Sequence, residues 1–305
     1  MMTIRAATVV AVMGGVVVAG CTPGGSSGPT PHPSPPSLAE TATSAEPAAA
    51  ESPARMSAAP SPGSASPTGA GQREALVYFL VDSPNGIRLA REARGVAGDT
   101  PARGAVEAMI DGPQDPDYVG PWNRSTRVLG ISDNDGVVTV DLSGEARTAN
   151  VGSPAAAAMK QQLIHTVTEQ LGAEKRVQLH IDGAPAQELW GAVDWTSPEA
   201  RGEWSETLLL VGIDSPAERA SVSSPVVVTG QAAVFEATLP WRVLTPTGAI
   251  VQQGTAMTEQ GMTMAPYRLE VVLSPGEYII EVTEDDPSVG EAGPLDVDTR
   301  RITVR

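Results

Sequence analysis

The chain has one cysteine, Cys21, in 305 residues. A lone thiol has no partner for an internal disulfide and cannot build a Cys-ligated metal site, so stability has to come from packed cores. Positive charge is scarce too. Twenty Lys and Arg stand against 36 Asp and Glu, for a net charge of -16, and only Lys160 and Lys175 are lysines. Nucleic-acid binding needs clustered Lys and Arg, so no nucleic-acid partner is expected. A polybasic grip on anionic lipid is excluded on the same ground. There is no phosphate-cradling glycine loop, no Gly-x-Ser-x-Gly elbow in a region expected to be ordered and no His-Glu-x-x-His. No cofactor, metal site or catalytic residue is therefore expected. The three histidines do not converge. His32 falls in a Pro-rich stretch, His165 is expected on a solvated helix face, and His180 on the polar face of a strand.

The chain opens with Arg5 and an apolar stretch from Ala6 to Ala19, too short for the roughly 20 residues that cross a bilayer. It ends in Val18-Ala19-Gly20-Cys21, small residues placed as at a secretory cleavage point. This run resembles the lipobox of bacterial lipoproteins. The resemblance implies a signal peptide over 1–20, a diacylglyceryl group on Cys21, and a protein anchored to the cell membrane on its extracytoplasmic face. Loss of Arg5 with the leader would take the charge from -16 to -17.

Residues 21–72 beyond the anchor are dominated by Pro, Ser, Thr, Ala and Gly, with too few large apolar side chains to offset the entropy of ordering. A disordered tether is expected there. Folded structure is expected from residue 73. Ala75–Val81 reads as a buried strand, Asp82–Gly86 as a turn, and Ile87–Val96 as a second strand with arginines on an exposed face. Thr100-Pro101 reads as the start of a helix that stops at Asp111-Gly112-Pro113. Arg127–Ile131 and Val137–Leu142 form a hairpin about Asn134-Asp135-Gly136. Ser153-Pro154 opens a second helix with the stripe Ala156, Met159, Leu163, Val167 and Leu171, ended by Gly172. Arg176–Asp182 is a further strand. These elements make one α+β domain, 73–191. A polar inter-domain linker, 192–206, follows. From 207 to 305 the pattern is strands alone: Leu208–Ile213, Val226–Ala233, Arg242–Thr245, Ile250–Met257, Tyr267–Leu273, Tyr278–Thr283 and Arg301–Val304. Seven short strands with turn signals between them predict an all-β sandwich.

Two stretches then resemble known families. Met109–Pro113, Val128-Leu129-Gly130, Gly136–Ser143 and Val177–Gly183 resemble the GerMN domain of sporulation and spore germination. Ile213–Pro216, Val228–Ala232 and Val234–Ala237 resemble the immunoglobulin-like domain of bacterial spore germination. The likeness spans about residues 74–190 and 208–305. It implies a mixed sheet with two helices, similar to ring-building folds of sporulation machinery, followed by an immunoglobulin-like sandwich. It also implies envelope modules that assemble rather than catalyse. The expected role is a non-catalytic, membrane-anchored scaffold with an unidentified envelope protein partner; the second reading is a module that binds cell-wall glycan.

Other motifs read as structure. Asp133-Asn134-Asp135-Gly136 lacks the acidic first and twelfth ligands of an EF-hand, where Ile131 and Leu142 stand. Glu284, Asp285 and Asp286 read as a solvated acidic loop. Trp190, Trp195 and Trp204 are expected to close the seam between the domains. Trp122, in a Pro/Gly-rich loop, and His180, on the open face of the sheet, are the two residues proposed to meet a partner.

Overall fold

The computed structural model describes residues 73–285 and 293–305. The expectations on Cys21, the leader, the tether and Asp286 lie outside the described residues.

The first domain opens with β1 (Arg73–Ser83) and β2 (Gly86–Val96), an antiparallel hairpin in unbroken register from Arg73↔Val96 to Ser83↔Gly86. α1 (Pro101–Asp111) follows. Thr100 caps it by accepting from the Arg103 amide, and the proline takes a first-turn position where no amide donor is needed. β3 (Val128–Asn134) and β4 (Val137–Leu142) form the expected hairpin. Asp135 (φ 49°) and Gly136 (φ 79°) make its left-handed two-residue turn. α2 (Ser153–Leu171) returns the chain to β5 (Arg176–Ile181), which pairs parallel to β4. A short β6 (Ala184–Pro185) completes a mixed sheet of order β3-β4-β5-β6. β7 (Glu188–Leu189) and β8 (Val193–Asp194) form a small separate pair, and α3 (Trp204–Thr207) is a single turn.

Three features of this domain differ from the sequence-based expectation. α2 is buried on more than one face, because the β1–β2 hairpin and α1 pack on it as well as β5. Gln162, Ile164, His165, Thr166 and Thr168 are therefore buried alongside the apolar stripe. Secondly, the arginines of β2 do not project freely into solvent. Arg91 pairs with Asp214 and Arg94 with Glu92, and both side chains are about nine-tenths covered. Thirdly, residues 192–206 are not a loose connection. Val177 and Glu199 exchange backbone hydrogen bonds, Lys160 pairs with Glu199, and Arg201 pairs with Glu169.

The second domain contains β9 (Val211–Ser215), β10 (Ala220–Val222), β11 (Val226–Ala232), β12 (Thr238–Leu244), β13 (Ile250–Met257), β14 (Ala265–Val271), β15 (Gly276–Thr283) and β16 (Val297–Val304). All seven expected strands are present, and β10 is the addition. They form two sheets, β10-β16-β15-β12-β13 and β14-β11-β9. Alternate residues such as Val226, Val228, Leu269, Val271, Ile280, Val282, Ile302 and Val304 meet in one core.

Candidate functional site

Among the described residues, no group of three or more His, Cys, Asp and Glu is placed to hold a metal ion. The acidic turn at 133–136 is committed elsewhere, with Asp133 bound to Lys175 Nζ at 2.7 Å. Glu284 and Asp285 are tied to neighbouring backbone. Glu284 Oε2 accepts from the Asp296 amide at 3.3 Å, and Asp285 Oδ1 accepts from the Phe235 amide at 2.8 Å.

Trp122 is a correction. Its loop folds back over the domain and leaves the residue 3% exposed. The indole Nε1 donates to Gln162 Oε1 at 2.9 Å, and Gln162 Nε2 donates to the Tyr78 carbonyl at 2.8 Å. Trp190 packs edge-on against it, with centroids 5.3 Å apart. A buried, hydrogen-bonded indole closes a core and cannot anchor a partner or stack on a sugar. The other tryptophans do not form the expected seam. Trp195 is fully buried, donating to the Val177 carbonyl, while Trp190 and Trp204 pack on the first domain's core.

His165 is also not on a solvated face. It is 2% exposed, lies 5.1 Å from the Tyr78 ring, and neither ring nitrogen has a hydrogen-bond partner. Burial, reinforced by the Arg201 charge, pushes its pKa down to about 3, so the imidazole is neutral in the folded protein. His180 remains half-buried on β5, in register with Asp141 of β4 and Pro185 of β6. The sheet face it occupies is covered in part, because Gln178, two residues earlier, is buried and donates to the Trp195 carbonyl.

The densest polar cluster is one that sequence reasoning missed: the junction of the two domains, built on Arg300. Along β16 and the residue before it, the buried positions alternate as Asp296, Asp298, Arg300, Ile302 and Val304. The strand's inward period therefore continues from the apolar core directly into three charged residues. That alternation, read backward from Ile302 and Val304, is the signal that places Asp298 and Arg300 inside. Arg300 Nη1 donates to Asp115 Oδ2 at 2.6 Å, Asp298 Oδ1 at 3.1 Å and the Thr299 carbonyl at 2.7 Å. Its Nη2 donates to Tyr118 Oη at 3.0 Å and the Ile213 carbonyl at 2.7 Å. Tyr118 donates onward to Asp298 Oδ1 at 2.8 Å, and the Ile213 amide donates to Asp298 Oδ2 at 2.7 Å. Asp115 and Tyr118 come from the first domain, and Ile213, Asp298 and Arg300 from the second.

Around this centre lies a second cross-domain pair. Arg91 holds Asp214 with two bonds of 2.7 Å and reaches Glu169 at 3.4 Å. Glu169 also accepts from Tyr78 Oη at 3.1 Å and from Arg201 at 2.9 Å. At the rim Thr299 donates to Asp117 at 3.0 Å. The apolar part of the seam is Leu208, Leu209 and Met264 against the first domain's core.

Burial dominates the electrostatics. It pushes the Asp115 carboxyl up to about 6 and Asp298 upward as well, both against the pull of Arg300. Burial also raises Tyr118, with the Asp298 charge adding to the effect. Arg300 stays protonated, because Asp298, Tyr118 and Asp115 outweigh its own desolvation. Every member of the cluster is engaged with another by a hydrogen bond or ion pair. The arrangement suits holding two domains together.

Residues 76–187 match the Germane family model, sporulation and spore germination, and residues 210–291 match Gmad2, the immunoglobulin-like domain of bacterial spore germination. Neither description names a reaction. No curated protein matches the chain. Among solved structures, it is similar to the tandem GerMN domains of the sporulation protein GerM from Bacillus subtilis. The identity is 16%, covering 46% of this chain and 49% of that one, with a TM-score of 0.37. The chain thus spans about half of that structure. The first GerMN domain of the same protein aligns at 18% identity, covering 42% of this chain and 97% of that one, with a TM-score of 0.34. A putative lipoprotein from Clostridium perfringens aligns at 20% identity, covering 44% and 91%, with a TM-score of 0.30. The two family matches, in the order of the two folded domains, identify the architecture. The chain carries a GerMN domain of the sporulation and spore germination type, followed by an immunoglobulin-like domain of bacterial spore germination.

Proposed function

We propose that this protein is a non-catalytic scaffold of the cell envelope, lipid-anchored through Cys21 on the extracytoplasmic face of the membrane, which presents its two domains to a protein partner as one unit. The observation that carries the reading is the Arg300 cluster. Its members span both domains and satisfy one another, which suits a device that holds two modules together. The sequence supports the anchor, through small residues placed before a lone cysteine. Two acyl chains at about 0.8 kcal/mol per buried methylene make a durable attachment. His180, half-buried on β5 beside the short edge strand β6, is the residue we assign to partner contact. The glycan-binding reading loses the Trp122 loop as a platform, leaving it only the sandwich.

The test has two arms. Cys21→Ser should move the protein from the membrane fraction to the soluble fraction; retention in the membrane without lipid would refute the anchor. Cross-linking in intact envelopes should recover a protein partner with the wild type, and recover less of it with His180→Asp. Recovery of peptidoglycan alone would favour the glycan reading. Hydrolytic activity abolished by one Asp, Glu or His substitution would overturn the non-catalytic one.

A further inference from the structure

Two loops of the second domain meet each other, 233–237 before β12 and 258–264 between β13 and β14. They carry Phe235, 43% exposed, and Met262, 69% exposed, while Met257, 62% exposed, ends β13 beside them. The loops are laced backbone to backbone. The Met262 amide donates to the Val234 carbonyl and the Thr258 amide to the Ala237 carbonyl, both at 3.0 Å. At Gly261 they come so close that a Cβ there would fall 2.7 Å from the Ala237 nitrogen. An aromatic ring with adaptable thioethers beside it is the composition of a surface that binds partners.

The backbone is strained at the same place. Glu236 (φ 50°), Ala237 (φ 60°) and Met262 (φ 60°) are left-handed, and none is a residue type that favours that region. Three of the seven non-glycine residues with positive φ among the described residues thus fall in these two loops. Strain of this kind persists only where the surroundings hold it, and it concentrates at binding sites.

The charge around the patch is of one sign. Residues 233–241 and 251–267 contain no Lys or Arg. Glu236 and Glu259 are exposed, and Asp285 lies against Phe235, accepting from its amide at 2.8 Å. The nearest cations along the chain, Arg242 and Arg268, are paired with Glu281 and Glu270.

We infer that these two loops are a docking surface for a cationic, amphipathic segment of a protein partner. Its apolar residues cover Phe235, Met257 and Met262, and its Lys or Arg side chains meet Glu236, Glu259 and Asp285. Charge selects that occupant. A second copy of this chain would set the same carboxylates against each other, because a twofold interface brings one patch onto itself. An anionic lipid surface would be repelled. A wholly apolar partner would desolvate the carboxylates and leave them unpaired. Lys and Arg around an apolar centre satisfy both parts of the patch, and the net charge of -16 steers such a segment toward the protein. In taking the partner to be a protein, this surface rests on the scaffold reading, but it needs neither the Cys21 anchor nor the His180 contact. Failure of the peptide assay below would leave that reading standing, since its own test is cross-linking in intact envelopes.

The test is fluorescence anisotropy of two labelled helical peptides against the full chain carrying Cys21→Ser. One peptide is built of Lys and Leu, the other of Glu and Leu in the same pattern. The Lys peptide should bind, more weakly as salt is added, and the Glu peptide should not. Phe235→Ser with Met262→Ser should weaken the Lys peptide about tenfold or more with little change in Tm, since both side chains are exposed. Glu236→Lys with Glu259→Lys should weaken it as much. Glu203→Lys with Glu206→Lys, an equal change of charge at exposed positions elsewhere, should cost little. A Lys peptide that does not bind, that is weakened equally by the two charge reversals, or that is indifferent to the loss of Phe235 and Met262 would overturn the inference. So would binding to phosphatidylglycerol vesicles, or a dimer in sedimentation, that depends on Phe235 and Met262 while the peptide does not.

Discussion

At the scale of single residues, two buried side chains make separate demands. His165 is neutral in the fold with its pKa near 3, while an unfolded histidine titrates near 6.5. Between those values the unfolded chain binds the extra proton, so His165 withdraws stability as pH falls through this window, by up to about 1.4 kcal/mol per unit. Asp115 and Asp298 act with the opposite sign, since carboxyls raised by burial favour the fold as pH falls. The comparison that isolates the histidine is urea unfolding of the wild type and His165→Leu from pH 7 to 4.5. The variant should lose less stability on acidification; parallel curves would contradict a buried neutral imidazole. Trp122 makes a packing demand. Trp122→Ala removes a buried ring and its bond to Gln162, and should cost about 3–5 kcal/mol in the same assay. Trp122→Phe keeps most of the ring but leaves Gln162 Oε1 unpaired, for about 1–3 kcal/mol. Neither burial was visible in the sequence. His165 has polar helix neighbours, and Trp122 sits among prolines and glycines; tertiary cover by the β1–β2 hairpin and by the loop's own return decided both.

At the scale of elements, local chemistry was a sound guide where the chain itself sets the geometry. The Thr100-Pro101 start of α1, the Asp135-Gly136 turn and the Gly172 end of α2 are all where the residues put them, because caps and tight turns are decided by adjacent atoms. Strand alternation likewise fixed the sandwich strands. Residues 192–206 were illegible for the complementary reason, since their order comes from Lys160, Val177 and Glu169, all far away in sequence. An element can also reverse a propensity rule. Gly104 lies inside α1, where alanine is ordinarily better by about 1 kcal/mol. Here α1 crosses the end of β2 so closely that an added Cβ would strike the Ala97 carbonyl and fall 2.9 Å from Val96 Cβ. Gly104→Ala should therefore destabilise, by about 1–3 kcal/mol as overpacking does. A rise in Tm would show that the crossing can relax.

At the scale of the whole molecule, the two domains are joined by buried charge as well as by apolar contact. Sequence reasoning misplaced what joins the domains, expecting tryptophans where Arg300, Asp115, Asp298 and Arg91 do the joining. The reason is physical. Charged residues are read as surface unless a partner is known, and the partners here lie about 180 residues apart. Such a cluster need not add net stability over an apolar seam, but removing its cation strands two carboxylates and should cost about 3–5 kcal/mol. The central claim, that the GerMN and immunoglobulin-like domains behave as one unit through Arg300, is tested most directly by calorimetry of the wild type and Arg300→Ala. The account predicts a single cooperative transition for the wild type, and for the variant a lowered profile split into two transitions, one per domain. Two independent transitions in the wild type, or an unsplit and undisplaced one in Arg300→Ala, would contradict it.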